Sequence, residues 1–407
     1  MIIIDMSARK RLVKRSILPF LILVLVIGYV AYAFAQPLKT LAPTVTYSKT
    51  FKATTVSLPW PGYGEAAVGA VGYGILATHG MQAPLPSAST IKILTALAVL
   101  KQQPLSLGEQ GPAITIAQAD VDSYNKYVAE YGSVARVAVG EKISEYQALQ
   151  ALLLPSANNM AETLARWAFG SIDSYNTAAN QLATALGMTA TTVTDPSGFL
   201  PSTVASAHDL TILGINAMQN PVIAQIVGQT SAVIPVQGTI HNVNQFVGED
   251  NIVGIKTGNN DQDKGVFLVA ATHNVSGHTI TIVGTVMDAQ DLGTAMYDSL
   301  PVIRAAGDDF SLTTVAKAGD VIGHYDVPWS KPVSAVVAKD MSVITWDGDA
   351  LETSVGLAKL HAPTSTTKNI GALAVQNSLD KSHASTSIVL DQPIAKPNWL
   401  WRLTHAF

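Results

Sequence analysis

The sequence is 407 residues long, carries a formal net charge of −4 and contains no cysteine. This length exceeds one ordinary hydrophobic core and predicts two domains. The absence of cysteine excludes disulfides, thiolate catalysis and cysteine-ligated metals, and the small negative charge gives no support to nucleic acid as a partner. Hydrophobic residues make up 48% of the chain and charged residues only 13%, so part of the apolar surplus is expected in a membrane segment.

The N-terminal segment has the pattern of a membrane span. Residues 17–35 carry no charge and are long enough, as a helix, to cross roughly 30 Å of hydrocarbon. Lys and Arg residues are concentrated just before it, in segment 1–16. The positive-inside rule therefore predicts a cytoplasmic basic segment, a single-pass cell-membrane anchor and an extracytoplasmic body. A cleaved signal peptide with an exported body is the alternative, because Ala33-Phe-Ala35 before Gln36 has the small-x-small pattern of a cleavage site.

The first part of the body changes character twice. Residues 36–60, with several prolines among Thr and Ser, are predicted to be an extended linker. A small, β-branched run at 66–78 predicts a strand. Across 87–218 apolar residues recur at i, i+3 and i+4, which indicates helices, and Ser144 and Ser206 stand where helix-capping hydroxyls are expected.

The second part returns to strands. From residue 231 the apolar period is two, and a final helix is predicted at 292–306. Helices inserted between the first strand and the rest of an antiparallel sheet indicate an α+β domain at 61–307. Short strands then predict a small all-β domain at 308–390. The apolar, aromatic tail 391–407 contains two Trp residues, which favour a membrane–water interface.

The segment Ser89-Thr-Ile-Lys92 opens the first helical run. Its spacing sets Ser89 near a helix N-terminus and Lys92 one turn later on the same face. A serine hydroxyl becomes a good nucleophile when a base removes its proton, and a buried lysine with a lowered pKa can be that base. Because Ser-x-x-Lys is a common pattern, an exposed helical lysine remains the alternative for this motif taken alone.

A second motif is Ser156-Ala-Asn158, which follows an apolar helical run that Pro155 ends. Here a polar pair on a short turn between two apolar helices can project into a cleft, with a proton relay and a substrate amide as its partners. A serine that simply caps the next helix is the alternative.

The third motif, Lys256-Thr257-Gly258, ends the predicted strand NIVGIK. A cation beside a hydroxyl on a strand edge can bind a substrate carboxylate. Gly258 is expected to leave room for a substrate backbone to pair with that edge. A lysine that merely ends a strand before a glycine turn is the alternative.

Together, in this order, the three motifs resemble those of the penicillin-recognising serine enzymes. The sequence around the motifs is similar to that of the D-Ala-D-Ala carboxypeptidases, the low-molecular-mass penicillin-binding proteins. The segments that carry the likeness are PSASTIKILTAL, LLLPSANNMAETLA, TDPSGF with SAHDL, and NIVGIKTG. The resemblance implies a β-lactamase/transpeptidase-like catalytic domain, an antiparallel sheet with a helical subdomain, followed by a small β domain.

The resemblance also implies roles for individual residues. Ser89 would be the acylated nucleophile and Lys92 its base, while Ser156 and Asn158 would complete the proton relay and hold the substrate amide. The reaction would remove the terminal D-Ala from peptidoglycan stem peptides through an acyl-enzyme, and β-lactams would form the same ester and act as covalent inhibitors.

For the third motif, the resemblance implies that Lys256 and Thr257, beside Gly258, bind the terminal carboxylate. The backbone N–H groups of Ser89 and Asn259 would form the oxyanion hole. One departure from the family pattern is the turn at 259–265, which is more polar than usual and one residue longer.

Other functions fit less well. A class A β-lactamase needs a glutamate that activates water, and Glu162 lies too near the middle motif for that. A D,D-endopeptidase or transpeptidase shares the motifs and stays open, as does a non-catalytic wall-binding relative. No metal or other cofactor is expected, because the histidines are scattered and no His-Glu-x-x-His occurs.

Overall fold

The computed structural model describes residues 6–259, 264–377 and 383–406, and the side chains from residue 17 onward. The N-terminal part consists of helix α1 (Met6–Ala35) and strand β1 (Pro43–Val45). Within α1, the span Ile17–Ala35 is long and apolar enough to cross a membrane. Its large apolar side chains are exposed.

The α+β domain begins with strands that precede Ser89 in the chain. In chain order, its elements as far as the middle motif are β2 (Glu65–Ala70), β3 (Gly74–His79), β4 (Leu85–Pro86), a 3-10 turn (Ala88–Ile91), α2 (Lys92–Gln102), β5 (Ala113–Thr115), α3 (Gln118–Ala129), β6 (Lys142–Ser144) and α4 (Glu145–Leu153).

The rest of this domain returns from helices to the sheet. Its elements are α5 (Asn158–Phe169), α6 (Ile172–Ala185), β7 (Val204–Ala205), α7 (Ala207–Gln219), α8 (Pro221–Val227), β8 (Ser231–Ile234), β9 (Gly238–His241), β10 (Ile252–Asn259), β11 (Gly265–Val275), β12 (His278–Ala289) and α9 (Leu292–Asp308). The caps predicted at Ser144 and Ser206 are confirmed, since each hydroxyl accepts a bond from the backbone N–H three residues later.

The main sheet is antiparallel, with strand order β10-β11-β12-β2-β3. Alternate residues of β11 belong to two different cores. Leu268 and Ala270 pack with α7 and the helical subdomain, whereas Phe267 and Val269 pack beneath α9. The period of two thus places one helical layer on each face, and the predicted α+β class is confirmed.

The predicted single strand at 66–78 is wrong in one respect, because it is a hairpin. Strands β2 and β3 pair antiparallel; the turn between them contains Gly72 at φ +88°, and Gly74, the first residue of β3, has φ +72°. Glycine adopts this left-handed region without steric cost. The apolar run therefore reverses direction at Gly72 and Gly74.

A C-terminal all-β region follows, as the sequence predicts. Its elements are β13 (Phe310–Ala316), β14 (Val321–Tyr325), β15 (Val333–Val337), β16 (Met341–Trp346), β17 (Leu351–Leu357), β18 (Gly371–Asn377), β19 (His383–Leu390) and the short helix α10 (Trp399–Thr404). Six strands form one sheet in the order β1-β14-β15-β19-β18-β17, and β13 pairs with β16.

Segment 36–60 differs from the extended linker expected from its sequence. Strand β1 pairs antiparallel with β14 at the edge of the six-stranded sheet. Leu41, only 4% exposed, joins the core of the β domain, and Phe51 bridges Leu351. Pro43 is tolerated because an edge strand does not need every backbone N–H. Isolated apolar residues among prolines gave no local signal of this pairing.

Candidate active site

Ser89 lies in a 3-10 turn that leads directly into α2. The sequence predicts the N-terminus of an α-helix here, but the turn occupies residues Ala88–Ile91 and α2 begins at Lys92. Ala88 has φ +46°, an uncommon conformation for a residue with a side chain. The Lys92 amine donates a hydrogen bond of 2.6 Å to Ser89 Oγ, so the expected contact between hydroxyl and amine is present.

The middle motif reaches the same amine. Ser156 and Asn158 lie where α4 gives way to α5, and Ser156 has φ +67°. Lys92 Nζ donates to Asn158 Oδ1 at 2.7 Å and to Ser156 Oγ at 3.3 Å. All these side chains except Ser89 are buried, which fits a polar group that lines the floor of a cleft with one hydroxyl at its opening.

The third motif lies on β10, an edge strand of the main sheet. Lys256 and Thr257 are buried, and Lys256 Nζ donates to the Thr257 carbonyl at 3.0 Å. A Cβ atom at Gly258 would lie 3.1 Å from Ala88 Cβ and 3.3 Å from the Ser89 nitrogen. The absence of a side chain at Gly258 thus allows β10 to lie close to the turn of Ala88 and Ser89, a reason different from the expected room for a substrate backbone.

Asn259 ends β10 and is exposed. It pairs with Gly265 across the antiparallel ladder. The remainder of the polar turn that departs from the family pattern lies in 260–263, outside the described residues.

Both lysines of the site, Lys92 and Lys256, are buried. Burial lowers the pKa of Lys92 well below its ordinary value, and the neighbouring charge of Lys256 lowers it further, whereas Asp195 raises it. Burial also lowers the pKa of Lys256 to about 7. Desolvation disfavours the charged amine, so Lys92 can be a neutral base near neutral pH and Lys256 titrates in that range.

Glu162 belongs to a structural network. Its carboxylate accepts hydrogen bonds of 2.8 Å from Ser123, 2.8 Å from Tyr127 and 3.0 Å from Arg166. Burial raises the pKa of Glu162, but these hydrogen bonds and the Arg166 charge bring it below its ordinary value. A carboxylate committed to three donors is poorly suited to take a proton from water, in agreement with the sequence argument against a β-lactamase.

One element of the site was missed by the sequence analysis. The loop that contains Asp195 and Gly198 contacts the nucleophile turn, because a Cβ atom at Gly198 would lie 1.9 Å from the Ala88 carbonyl oxygen. The available signal was the run Asp-Pro-Ser-Gly, whose residue types favour a tight turn with a left-handed glycine. That signal indicates a turn but not what the turn touches.

The described residues contain no group of three or more His, Asp or Glu side chains that could hold a metal ion. The polar groups that the three motifs bring together are hydroxyls, amines and an amide. A buried amine in contact with a partly exposed hydroxyl can activate it for attack on an acyl carbon.

Comparisons with known proteins agree with this arrangement. The profile of the D-alanyl-D-alanine carboxypeptidase family matches residues 69–291. A D-alanyl-D-alanine carboxypeptidase from Mycobacterium tuberculosis is 30% identical over 257 residues, which is 61% of this chain and 81% of that protein. A D-alanyl-D-alanine endopeptidase from Pseudomonas aeruginosa is 34% identical over 141 residues, 35% of this chain and 42% of that one.

Two solved structures are also similar. A Streptomyces DD-transpeptidase matches with a TM-score of 0.53 and 25% identity, over 62% of this chain and 98% of its own. Penicillin-binding protein 5 from Haemophilus influenzae matches with a TM-score of 0.58 and 18% identity, over 85% of this chain and all of its own. The second likeness extends the shared fold into the β domain. The family profile and the relatives agree with the geometry, in which the first two motifs meet at the Lys92 amine and the third lies beside Ser89; the chain belongs to the D-alanyl-D-alanine carboxypeptidase family of serine peptidases.

Proposed function

We propose that this protein removes the terminal D-alanine from peptidoglycan stem peptides, with Ser89 as nucleophile and Lys92 as base. The observation that carries the proposal is the Lys92 amine, buried yet within hydrogen-bond distance of Ser89, Ser156 and Asn158. A lysine with a lowered pKa in direct contact with a serine hydroxyl can remove its proton.

The chemistry follows in two steps. Neutral Lys92 takes the proton of Ser89, and Oγ bonds to the carbonyl carbon of the penultimate D-Ala. The backbone N–H groups of Ser89 and Asn259 stabilise the oxyanion. The peptide C–N bond then breaks as the leaving amine gains a proton through Lys92 and Ser156. Water next attacks the ester, which releases the shortened peptide and restores the serine.

Substrate orientation involves the rest of the site. Asn158 holds the substrate amide, and Lys256 with Thr257 binds the terminal carboxylate beside Gly258. A protonated lysine on a strand edge is a suitable partner for that carboxylate, and the edge position of β10 allows a peptide backbone to lie along it. A β-lactam carries a comparable carboxylate and acyl carbon, so the same residues account for covalent inhibition.

The decisive experiment follows a D-Ala-D-Ala-terminated pentapeptide by mass spectrometry with the full-length protein in detergent micelles. We expect loss of one alanine, abolished by Ser89→Ala and strongly reduced by Ser156→Ala. Ser174→Ala is the matched control, because Ser174 shares the Ser-x-Asn spacing but is exposed on α6. Full activity of Ser89→Ala would refute the assignment of the nucleophile.

A related activity is the second candidate, because relatives named endopeptidases are 34% and 30% identical over part of this chain. Incubation with a cross-linked muropeptide dimer, and with a free amino acceptor, separates the reactions. Cleavage of the cross-link favours an endopeptidase, and acceptor incorporation favours a transpeptidase. A non-catalytic wall-binding relative would form no covalent adduct with a fluorescent penicillin.

For the location of the protein, we propose a retained single-pass anchor with the catalytic body outside the cytoplasm. The contact between α10 and the end of α1 supports this. Arg402 donates to the carbonyls of Phe34 at 3.1 Å and Gln36 at 2.8 Å, and the Ala33 side chain is buried. Cleavage after Ala35 would remove a surface against which α10 packs.

Mass spectrometry of the protein extracted from the membrane fraction tests this proposal. We expect residues 1–35 to be present and the protein to resist alkaline extraction. Arg402→Ala is expected to increase proteolysis near residues 33–36 in detergent, because three carbonyls at the end of α1 lose their donor. A mature N-terminus at Gln36 would contradict a retained anchor.

A further inference from the structure

The loop at 193–203 supports the nucleophile turn from the side opposite β10. The Ser87 backbone N–H and hydroxyl both donate to the Thr203 carbonyl at 3.1 Å. Gly198, at φ +72°, meets the Ala88 carbonyl so closely that any side chain there would collide with it. Ala88 is thus enclosed between Gly198 and Gly258, which accounts for its left-handed conformation.

Asp195 determines the shape of this loop. Its carboxylate, 6% exposed, accepts bonds from the Ser197 N–H at 3.1 Å, the Ser197 hydroxyl at 2.6 Å and the Phe199 N–H at 3.1 Å. The other carboxylate oxygen accepts from the Thr203 hydroxyl at 2.5 Å. Donors on both sides of Gly198 converge on one side chain, so the carboxylate fixes the position of that glycine.

We propose that Asp195 is a positioning residue for acylation, which holds the Gly198 backbone against Ala88 and thereby directs Ser89 Oγ toward Lys92. The proposal rests on the function proposed above. A shift of the turn by a fraction of an ångström would lengthen the 2.6 Å contact between Ser89 and Lys92. Small displacements of a reacting group have large effects on rate.

The same carboxylate also acts on Lys92 through its charge. The groups whose charges affect the pKa of Lys92 are Lys256, which lowers it, and Asp195, which raises it. Two buried tyrosines, Tyr127 and Tyr175, lie in the same surroundings and are neutral at physiological pH. Burial is the main cause that raises the pKa of each; Glu162 and then Asp195 raise that of Tyr127 further, and Asp195 raises that of Tyr175. Tyr127 is bonded to Glu162 and Tyr175 to Thr95.

This dual role gives a signature that a purely structural residue lacks. Asp195→Asn removes the charge and replaces one of the two accepting oxygens by an NH₂ donor, so acylation by a fluorescent penicillin should slow about 10-fold to 100-fold. Without the negative charge, Lys92 releases its proton more readily, so the acid limb of the acylation rate should move to lower pH. Asp195→Glu keeps the charge but displaces the loop, and should slow acylation with the acid limb almost in place.

The measurement is the second-order acylation rate constant from pH 5 to 9 for the full-length protein in detergent micelles. Asp209→Asn is the matched control: Asp209 is equally buried, accepts from the Ala190 N–H and the Thr191 hydroxyl, and is not among the charges that act on Lys92. We expect its acid limb to stay where the wild type has it.

The outcomes separate the two proposals. Wild-type protein that forms no adduct at Ser89 would overturn both. Wild-type acylation with an Asp195→Asn variant of unchanged rate and pH profile would overturn only the role of Asp195. If Asp195→Asn does not fold, Ser197→Ala keeps the carboxylate but removes the hydroxyl that donates to Asp195 at 2.6 Å and accepts from the Phe199 N–H at 3.2 Å. This variant should still slow acylation measurably, and an unchanged rate would count against the loop as a support.

Discussion

The amine of Lys92 lies 2.7 Å from the side-chain oxygen of Asn158, almost as close as it lies to Ser89 Oγ. An amide oxygen accepts an N–H bond from lysine without adding a charge. The contact therefore fixes the direction of the amine while the pKa of Lys92 stays low, as burial dictates. A carboxylate in the same place would hold the amine equally well but would keep it protonated.

Asn158→Asp tests this distinction. A negative charge beside Lys92 should raise its pKa, so the acid limb of the acylation rate moves to higher pH and the rate at pH 7 falls about 10-fold to 100-fold. Asn158→Ala removes the acceptor without adding a charge, and should slow acylation without that upward shift. Equal pH profiles for the two variants would argue against Lys92 as the base.

The lowered pKa of Lys256 predicts that activity falls at alkaline pH. Its pKa is about 7 because it is buried, so in the free enzyme the protonated amine that binds a carboxylate is lost as pH rises above that value. We expect kcat/KM for a D-Ala-D-Ala peptide to fall above about pH 7. The matched substrate ends in D-alaninamide, lacks the carboxylate, and should show a lower kcat/KM without this alkaline fall. The same fall with both substrates would point to another group.

The close packing around Gly258 predicts that the added methyl group of an alanine at this position slows acylation. A Cβ atom there would lie 3.1 Å from Ala88 Cβ, so Gly258→Ala should displace the nucleophile turn slightly and slow acylation roughly 10-fold, with little change in melting temperature. Gly356→Ala is the control, since that strand glycine has open space around its Cβ position. A wild-type acylation rate in Gly258→Ala would mean that the close approach is not needed.

The buried carboxyl of Glu145, which lies outside the candidate active site, predicts that the stability of the folded state depends on pH. It is fully buried and neither carboxylate oxygen has a hydrogen-bond partner among the described residues. Burial raises the pKa of Glu145 to about 7, so the folded state prefers the neutral acid. This stabilisation is complete below the unfolded pKa, about 4.5, and is lost as pH rises through about 7.

Denaturant unfolding at pH 5 and pH 8 measures this loss. Glu145→Gln should remove a pH-dependent difference of roughly 1 to 2 kcal/mol in the free energy of unfolding. Glu130→Gln, which changes an exposed glutamate, should leave the difference as it is in the wild type. If both variants behave like the wild type, the Glu145 carboxyl is solvated in solution.

The sequence predicted those parts of the site that local patterns encode. Ser89, Ser156 and Lys256 each stand at the end or start of a periodic segment, so their placement on a helical entry, an interhelical turn and a strand followed from period and from turn residues. What escaped prediction depends on contacts between distant segments. Asp-Pro-Ser-Gly indicates a turn, but only the folded chain brings Gly198 against Ala88, and no local period predicts that β1 pairs with β14.

The pairing of β1 with β14 has a consequence for the order in which the protein folds. Every strand of the main sheet lies between these two in the chain, so the peptidase domain is continuous while the β domain is assembled from both of its flanks. In a chain that is synthesised from its N-terminus, the peptidase domain can fold before all strands of the β domain have been made. The spacing between helix α1 and the main sheet is therefore set last, by strands that are made after those of the main sheet.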